Sequence, residues 1–78
     1  MKEIFIDNFL ALFQNETTLI KTHLQNLVLG ETVCLVDEEH TEWTAIAKLV
    51  DKDPGEPEIC DNGQIVTTYE VEISTFLF

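Results

Sequence analysis

Gln64-Ile-Val-Thr-Thr-Tyr-Glu-Val-Glu-Ile-Ser-Thr75 is the stretch whose reading decides the fold. Ile65, Thr67, Tyr69, Val71 and Ile73 fall on one side of a period of two, and Val66, Thr68, Glu70, Glu72 and Ser74 on the other. Strict alternation with β-branched and aromatic residues on the apolar side describes an antiparallel strand with one face buried and one wet. Asn62-Gly63 just before it is a strong turn signal, so the strand is entered from a tight reversal.

Working back from there, Asp51-Lys-Asp-Pro-Gly-Glu-Pro-Glu58 reads as a loop fixed by two prolines. Trp43-Thr-Ala-Ile-Ala-Lys-Leu-Val50 predicts a second strand, with Trp43, Ala45, Ala47 and Leu49 on one face. Thr32-Val-Cys-Leu-Val36 predicts a first, short and β-branched, joined to the second through the polar loop Asp37–Thr41 as a hairpin.

Before Gly30 the period reads as helical. Phe5, Phe9, Leu12 and Phe13 recur at helical spacing, widened by Ile4, Ile6 and Leu10. Gln14-Asn15-Glu16 offers a polar break, with Asn15 a candidate cap for a second helix. Leu19/Ile20, His23/Leu24 and Leu27/Val28 then repeat every four residues, and Gly30 is a natural terminator. A single helix running through Asn15 is the alternative. The expected fold is therefore α+β in one domain, residues 1–78. One or two helices over residues 1–30 pack on a three-stranded antiparallel sheet over residues 31–78.

Composition restricts what such a domain does. Fifteen acids stand against four lysines and no arginine, a net charge of −11. Residues 1–30 hold three acids against two lysines, and residues 31–78 hold twelve against two. This balance excludes nonspecific contact with nucleic acid, which needs a basic face to displace counterions from phosphates. It equally opposes an anionic membrane. No run reaches the roughly 18 apolar residues that span a bilayer, and the start lacks the cleavage site of a secretory signal. Cys34 and Cys60 read as two reduced thiols, and the expected location is the cytoplasm of a host cell or a virion.

The candidate chemistry is thin. Asp51-x-Asp53 resembles the start of a calcium loop, but glycine falls fifth, Glu56 sixth and Asn62 twelfth, so the EF-hand ligand register is missing. Cys34, Cys60, His23 and His40 lack the close ligand pairs of a structural zinc site. His23 reads as a core-edge residue of the second helix and His40 as a hairpin tip. The only serine, Ser74, lies on the wet face of its strand, without a base or an orienting group in sequence reach. No catalytic residue, cofactor or metal is expected. What remains is an acidic crescent on two loops: Asp37, Glu38, Glu39 and Glu42, then Asp51, Asp53, Glu56, Glu58 and Asp61. Such a surface attracts a partner protein of basic character. Self-association is the other route, and the terminal Phe76-Leu77-Phe78 reads first as completion of the core and otherwise as an apolar anchor left for a partner.

Three segments carry a resemblance: Glu31-Thr-Val-Cys-Leu-Val-Asp37, Thr44-Ala-Ile-Ala-Lys-Leu-Val-Asp51 with its acidic loop, and Asn62-Gly63 followed by Tyr69-Glu-Val-Glu-Ile-Ser-Thr75. Together they resemble the strands of small head–tail joining (connector) proteins of tailed phages, which have an N-terminal helix followed by a β-sandwich or small barrel and continue into another hairpin. The resemblance implies a structural adaptor in virion assembly. The same strands also resemble a partial SH3-like or Tudor-like barrel. The charge supports a different function, an acidic nucleic-acid mimic that inhibits a nuclease, restriction enzyme, polymerase or CRISPR effector.

Overall fold

The computed structural model describes residues 1–52 and 55–77. Among the described residues six strands follow one another: β1 (Lys2–Ile6), β2 (Thr17–Thr22), β3 (Thr32–Asp37), β4 (Thr44–Lys52), β5 (Glu58–Ile59) and β6 (Ile65–Leu77). The only helical element among the described residues is a 3₁₀ turn, Phe9–Phe13. The five longer strands form one sheet in the order β1-β3-β4-β6-β2, and β5 pairs with the start of β6. β1 runs parallel to β3, with Ile4 opposite Leu35, and every other pairing is antiparallel. The sheet curls into a half-barrel whose edge strands β1 and β2 approach each other without pairing. Two register shifts between β4 and β6, at Ile46/Ala47 and Leu49/Asp51, help it bend.

This overturns the expected helices on a three-stranded antiparallel sheet. Residues 1–30 fold as β1, the 3₁₀ turn, β2 and an irregular segment. The spacing of Phe5, Phe9 and Phe13 imitates a helical stripe, but the three residues have different surroundings. Ile4 and Ile6 point into the barrel, and Phe5 between them stands on its outer face. Phe9 and Leu12 are buried on the 3₁₀ turn, and Phe13 is half-exposed. Thr17-Thr-Leu-Ile-Lys-Thr22 buries Ile20 and Thr22 at a period of two, a pattern hidden in the sequence by the neighbouring Leu19. Asn15 caps no helix; its side chain donates to the Ala11 carbonyl at 3.4 Å. His23 is exposed rather than at a core edge. Gly30 terminates no helix: at φ +91° its N–H donates to the Leu49 carbonyl at 2.7 Å, leading the chain into β3.

From β3 onward the three expected strands lie close to the observed β3, β4 and β6, with two corrections. Ile65, expected on the buried face, is exposed, and the segment read as a loop contributes the end of β4 and the short β5, which pairs with the start of β6. Val33 and Leu35, then Ala45, Ala47 and Leu49, then Tyr69 and Val71 fill the interior with Ile4, Ile6 and Ile20. The two alanines of β4 leave room there for larger side chains from the facing strands. The ends are closed by different means. Phe9 and Leu12 plug the end where β1 finishes, and Leu24 and Leu27 pack against the core from the segment after β2. Trp43 and Phe76 complete the first plug; Phe76 lies 6.2 Å from Phe9 and stacks on Phe13 at 4.5 Å between ring centres. Leu77 stands half-exposed on the outer face, and Phe78 lies outside the described residues.

Candidate functional site

The acidic residues of the crescent occupy opposite ends of one strand. Asp37, Glu38, Glu39 and Glu42 lie where β3 turns into β4; Asp51 is the last residue but one of β4, and Glu56, Glu58 on β5 and Asp61 follow it. Seven residue steps of β4 separate the poles, about 23 Å at strand rise, in a molecule whose longest extent is 34 Å. Asp53 lies outside the described residues.

The second pole is largely tied up or fully solvated. Lys21 on β2 reaches Glu58 at 3.0 Å, an exposed pair that contributes little but partly neutralises this end. Asp51 accepts the N–H of Lys52 at 2.8 Å. Asn62 accepts from the Gln64 N–H at 3.0 Å, and Gly63, at φ +84°, donates to the Cys60 carbonyl at 2.9 Å, fixing the turn into β6.

The first pole is more constructed. Asp37 ends β3 nearly buried, and its Oδ1 accepts the Glu39 N–H at 2.9 Å. Its own N–H donates to the Trp43 carbonyl at 3.1 Å, and the Trp43 N–H to the His40 carbonyl at 2.8 Å. Glu38 donates its N–H to the Ile6 carbonyl at 3.1 Å, so the loop is pinned to the end of β1. Four backbone and side-chain bonds thus hold a short loop whose other side chains point to water. His40 stacks on Trp43 with ring centres 4.3 Å apart and an angle of 18° between planes, and its Nδ1 lies 3.6 Å from Asp37 Oδ2.

Between this loop and the Asp7–Ala11 segment opens a cleft of about 240 Å³. Phe9, His40 and Trp43 form its aromatic wall; Asp7, Asp37 and Glu39 are its acids. Neither lysine nor the N-terminus lines it. Among the described residues neither Asp7 nor Glu39 makes an ion pair. The sequence places Phe9 in a helical stripe, Trp43 on one face of a strand and His40 at a hairpin tip, and it does not mark Asp7 as a site residue. The missed signal is Ile6-Asp7-Asn8, a polar break after an apolar run, which sets Asp7 at the mouth where β1 ends.

Elsewhere the chemistry is sparse. Cys34, half-buried on the outer face of β3, and Cys60, exposed in the β5–β6 turn, are both free thiols. Burial, reinforced by Glu3, pushes the Cys34 thiol above its ordinary value. No group of three or more His, Cys, Asp or Glu among the described residues is arranged to hold a metal ion. No helix among them is long and apolar enough to cross a membrane. Comparison with protein-family models, with curated proteins and with solved structures found no match to the chain.

Proposed function

We infer that this chain is a non-catalytic protein-binding module that grips a basic partner through the pole formed by the β3–β4 loop. The observation that carries the reading is the state of that pole. Asp37, Glu38, Glu39 and Glu42 are gathered at a loop held by its own hydrogen bonds, and among the described residues the one ion-pair contact to them is that of His40 with Asp37, although Lys21 lines a cavity beside Glu38. A rigid anionic loop loses little conformational entropy on binding, and its field raises the rate of encounter with a cationic surface. The resemblance of the β3, β4 and β6 segments to phage connector strands supplies the setting, an adaptor in virion assembly.

The second reading, a nucleic-acid mimic, is favoured by Glu72, Glu70 and Asp51. By register they descend the outer face from β6 toward the far pole, with Glu70 directly opposite Asp51. A mimic would use both poles and the carboxylates between them, as a duplex presents phosphates along its length.

Charge reversal separates the two. A tagged chain is used to capture partners from bacterial lysate, eluted by salt, alongside Glu38→Lys/Glu39→Lys/Glu42→Lys and Glu56→Lys/Glu58→Lys/Asp61→Lys. All six positions are exposed, so both variants keep the fold. The adaptor reading expects partner loss from the first variant alone. Equal loss from both, with duplex DNA competing for the partner, replaces it by the mimic. Retention by both variants overturns binding through charge altogether.

A further inference from the structure

We propose that Asn62 is a site of covalent self-modification, converted to aspartate and isoaspartate by attack of the Gly63 backbone nitrogen, at a rate set by the opening of β5. The site lies in the turn between β5 and β6, at the pole away from the β3–β4 loop, and stands independently of any partner bound there.

The chemistry needs only what the turn holds, and water. The Gly63 nitrogen, having lost its proton to base, attacks the side-chain carbonyl carbon of Asn62. A carbon–nitrogen bond forms, the bond to Nδ2 breaks, and Nδ2 takes a proton from solvent and leaves as ammonia. Water then opens the five-membered succinimide. Opening at the side-chain carbonyl gives aspartate; opening at the backbone carbonyl gives isoaspartate, with the chain running through the former side chain. Nothing is oxidised or reduced.

The turn favours the first step in three ways. Oδ1 of Asn62 accepts the Gln64 N–H at 3.0 Å, which polarises the carbonyl under attack and meets the charge that develops on its oxygen. Nδ2, the departing nitrogen, is held by Gln64 Oε1 at 3.2 Å. Gly63 has no side chain to shield its nitrogen, and nothing lies within 4 Å of where a Cβ would stand, so the ring has room to close. The other three asparagines are followed by Phe9, Glu16 and Leu27, whose side chains crowd the attacking nitrogen.

The closed hairpin opposes the same step. The Gly63 N–H donates to the Cys60 carbonyl at 2.9 Å, and the Cys60 N–H to the Gln64 carbonyl at 2.8 Å, so the nucleophile is occupied until the turn opens. Little resists that opening. β5 is two residues long, Ile59 and its partner Ile65 are both exposed, and the Lys21–Glu58 pair is solvated. Strands with so little burial open locally, far more readily than the whole domain unfolds. Reaction then runs one way. Either product adds a negative charge to this pole, and isoaspartate adds a backbone carbon that takes Cys60 and Gln64 out of register.

The test incubates the whole chain at pH 8, folded and in guanidinium chloride, with ammonia release and peptide mapping by electron-transfer fragmentation. Aspartate and isoaspartate are expected at residue 62 before any change at Asn8, Asn15 or Asn26, and faster in the unfolded chain. Ile59→Gly, at an exposed position, loosens β5 and is expected to speed the folded reaction about threefold while leaving the unfolded rate alone. An unchanged Asn62 in the folded chain, or earlier conversion of another asparagine, overturns the site. Aspartate without isoaspartate overturns the cyclisation. Equal folded and unfolded rates, or no effect of Ile59→Gly, overturn the control by β5.

Discussion

Phe5 and Phe9 stand one helical turn apart in sequence, and replacing each by alanine separates a helix from the fold described here. On an N-terminal helix both would lie on one buried stripe and cost about the same. In the half-barrel Phe9 is 1% exposed on the 3₁₀ turn, with Phe13, Trp43 and Phe76 at ring distances of 6.0–6.4 Å, whereas Phe5 is 54% exposed on the outer face of β1. Burial of this kind puts Phe9→Ala at about 3–5 kcal/mol, the range for a deleted core phenylalanine. Phe5→Ala should cost about 1 kcal/mol or less. At roughly 0.05–0.15 kcal/mol per residue a chain of this length holds about 4–12 kcal/mol in total, so Phe9→Ala removes a quarter or more of it. With about 4–8 °C of Tm per kcal/mol for domains of this size, the expected fall is roughly 12–40 °C. The assay is urea and thermal unfolding followed by far-ultraviolet circular dichroism, since Trp43 fluorescence responds to Phe9 directly. Phe9→Leu, which keeps most of the volume, should fall between the alanine variant and wild type. Equal losses from Phe5→Ala and Phe9→Ala, or a loss under about 1 kcal/mol from Phe9→Ala, would refute the placement of the 3₁₀ turn as the plug of the barrel.

Three further outcomes are expected. Glu31 accepts the Val28 N–H at 3.1 Å and meets Lys2 Nζ at 3.3 Å; the first chiefly, the second in addition, holds its carboxyl below the ordinary 4.5. Because the folded-state value is depressed, its contribution is present above 4.5 and fades as pH falls through the folded-state value. Urea midpoints of wild type and Glu31→Gln should therefore differ near neutrality and converge in acid; a constant difference would contradict the assignment. Gly63→Ala places a side chain at φ +84° in the turn before β6 and should cost about 1–2 kcal/mol by urea unfolding, although no atom crowds the position. An unchanged midpoint would show that the turn relaxes. Iodoacetamide at pH 8, followed by peptide mass mapping, should label exposed Cys60 well before Cys34, whose thiol is raised by burial. Equal rates would mean that β3 opens on the labelling timescale.

The sequence by itself determined the three long strands of the second half of the molecule, though not the short β5 or the exposure of Ile65 beside it. From Thr32 onward, alternation, the Asn62-Gly63 turn and the loop lengths are local signals, and the residues that pair, Val33 with Ala47 and Leu49 with Val71, belong to strands joined by short connections or neighbouring in order. It also determined the charge, and with it the acidic loops. What only the tertiary structure decided is the first thirty residues. Lys2-Glu-Ile-Phe-Ile6 is too short for periodicity to separate strand from helix, and its partner β3 lies some thirty residues away in a parallel pairing. Thr17–Thr22 likewise becomes a strand only because β6, roughly fifty residues later, offers it an edge. Local preference is worth tenths of a kcal/mol per residue, and pairing plus burial of Ile4, Ile6 and Ile20 outweighs it. The cleft was illegible for the same reason. Asp7 and Phe9 meet Asp37, His40 and Trp43 only because β1 docks beside β3 and ends where the β3–β4 loop begins, a juxtaposition no spacing along the chain encodes.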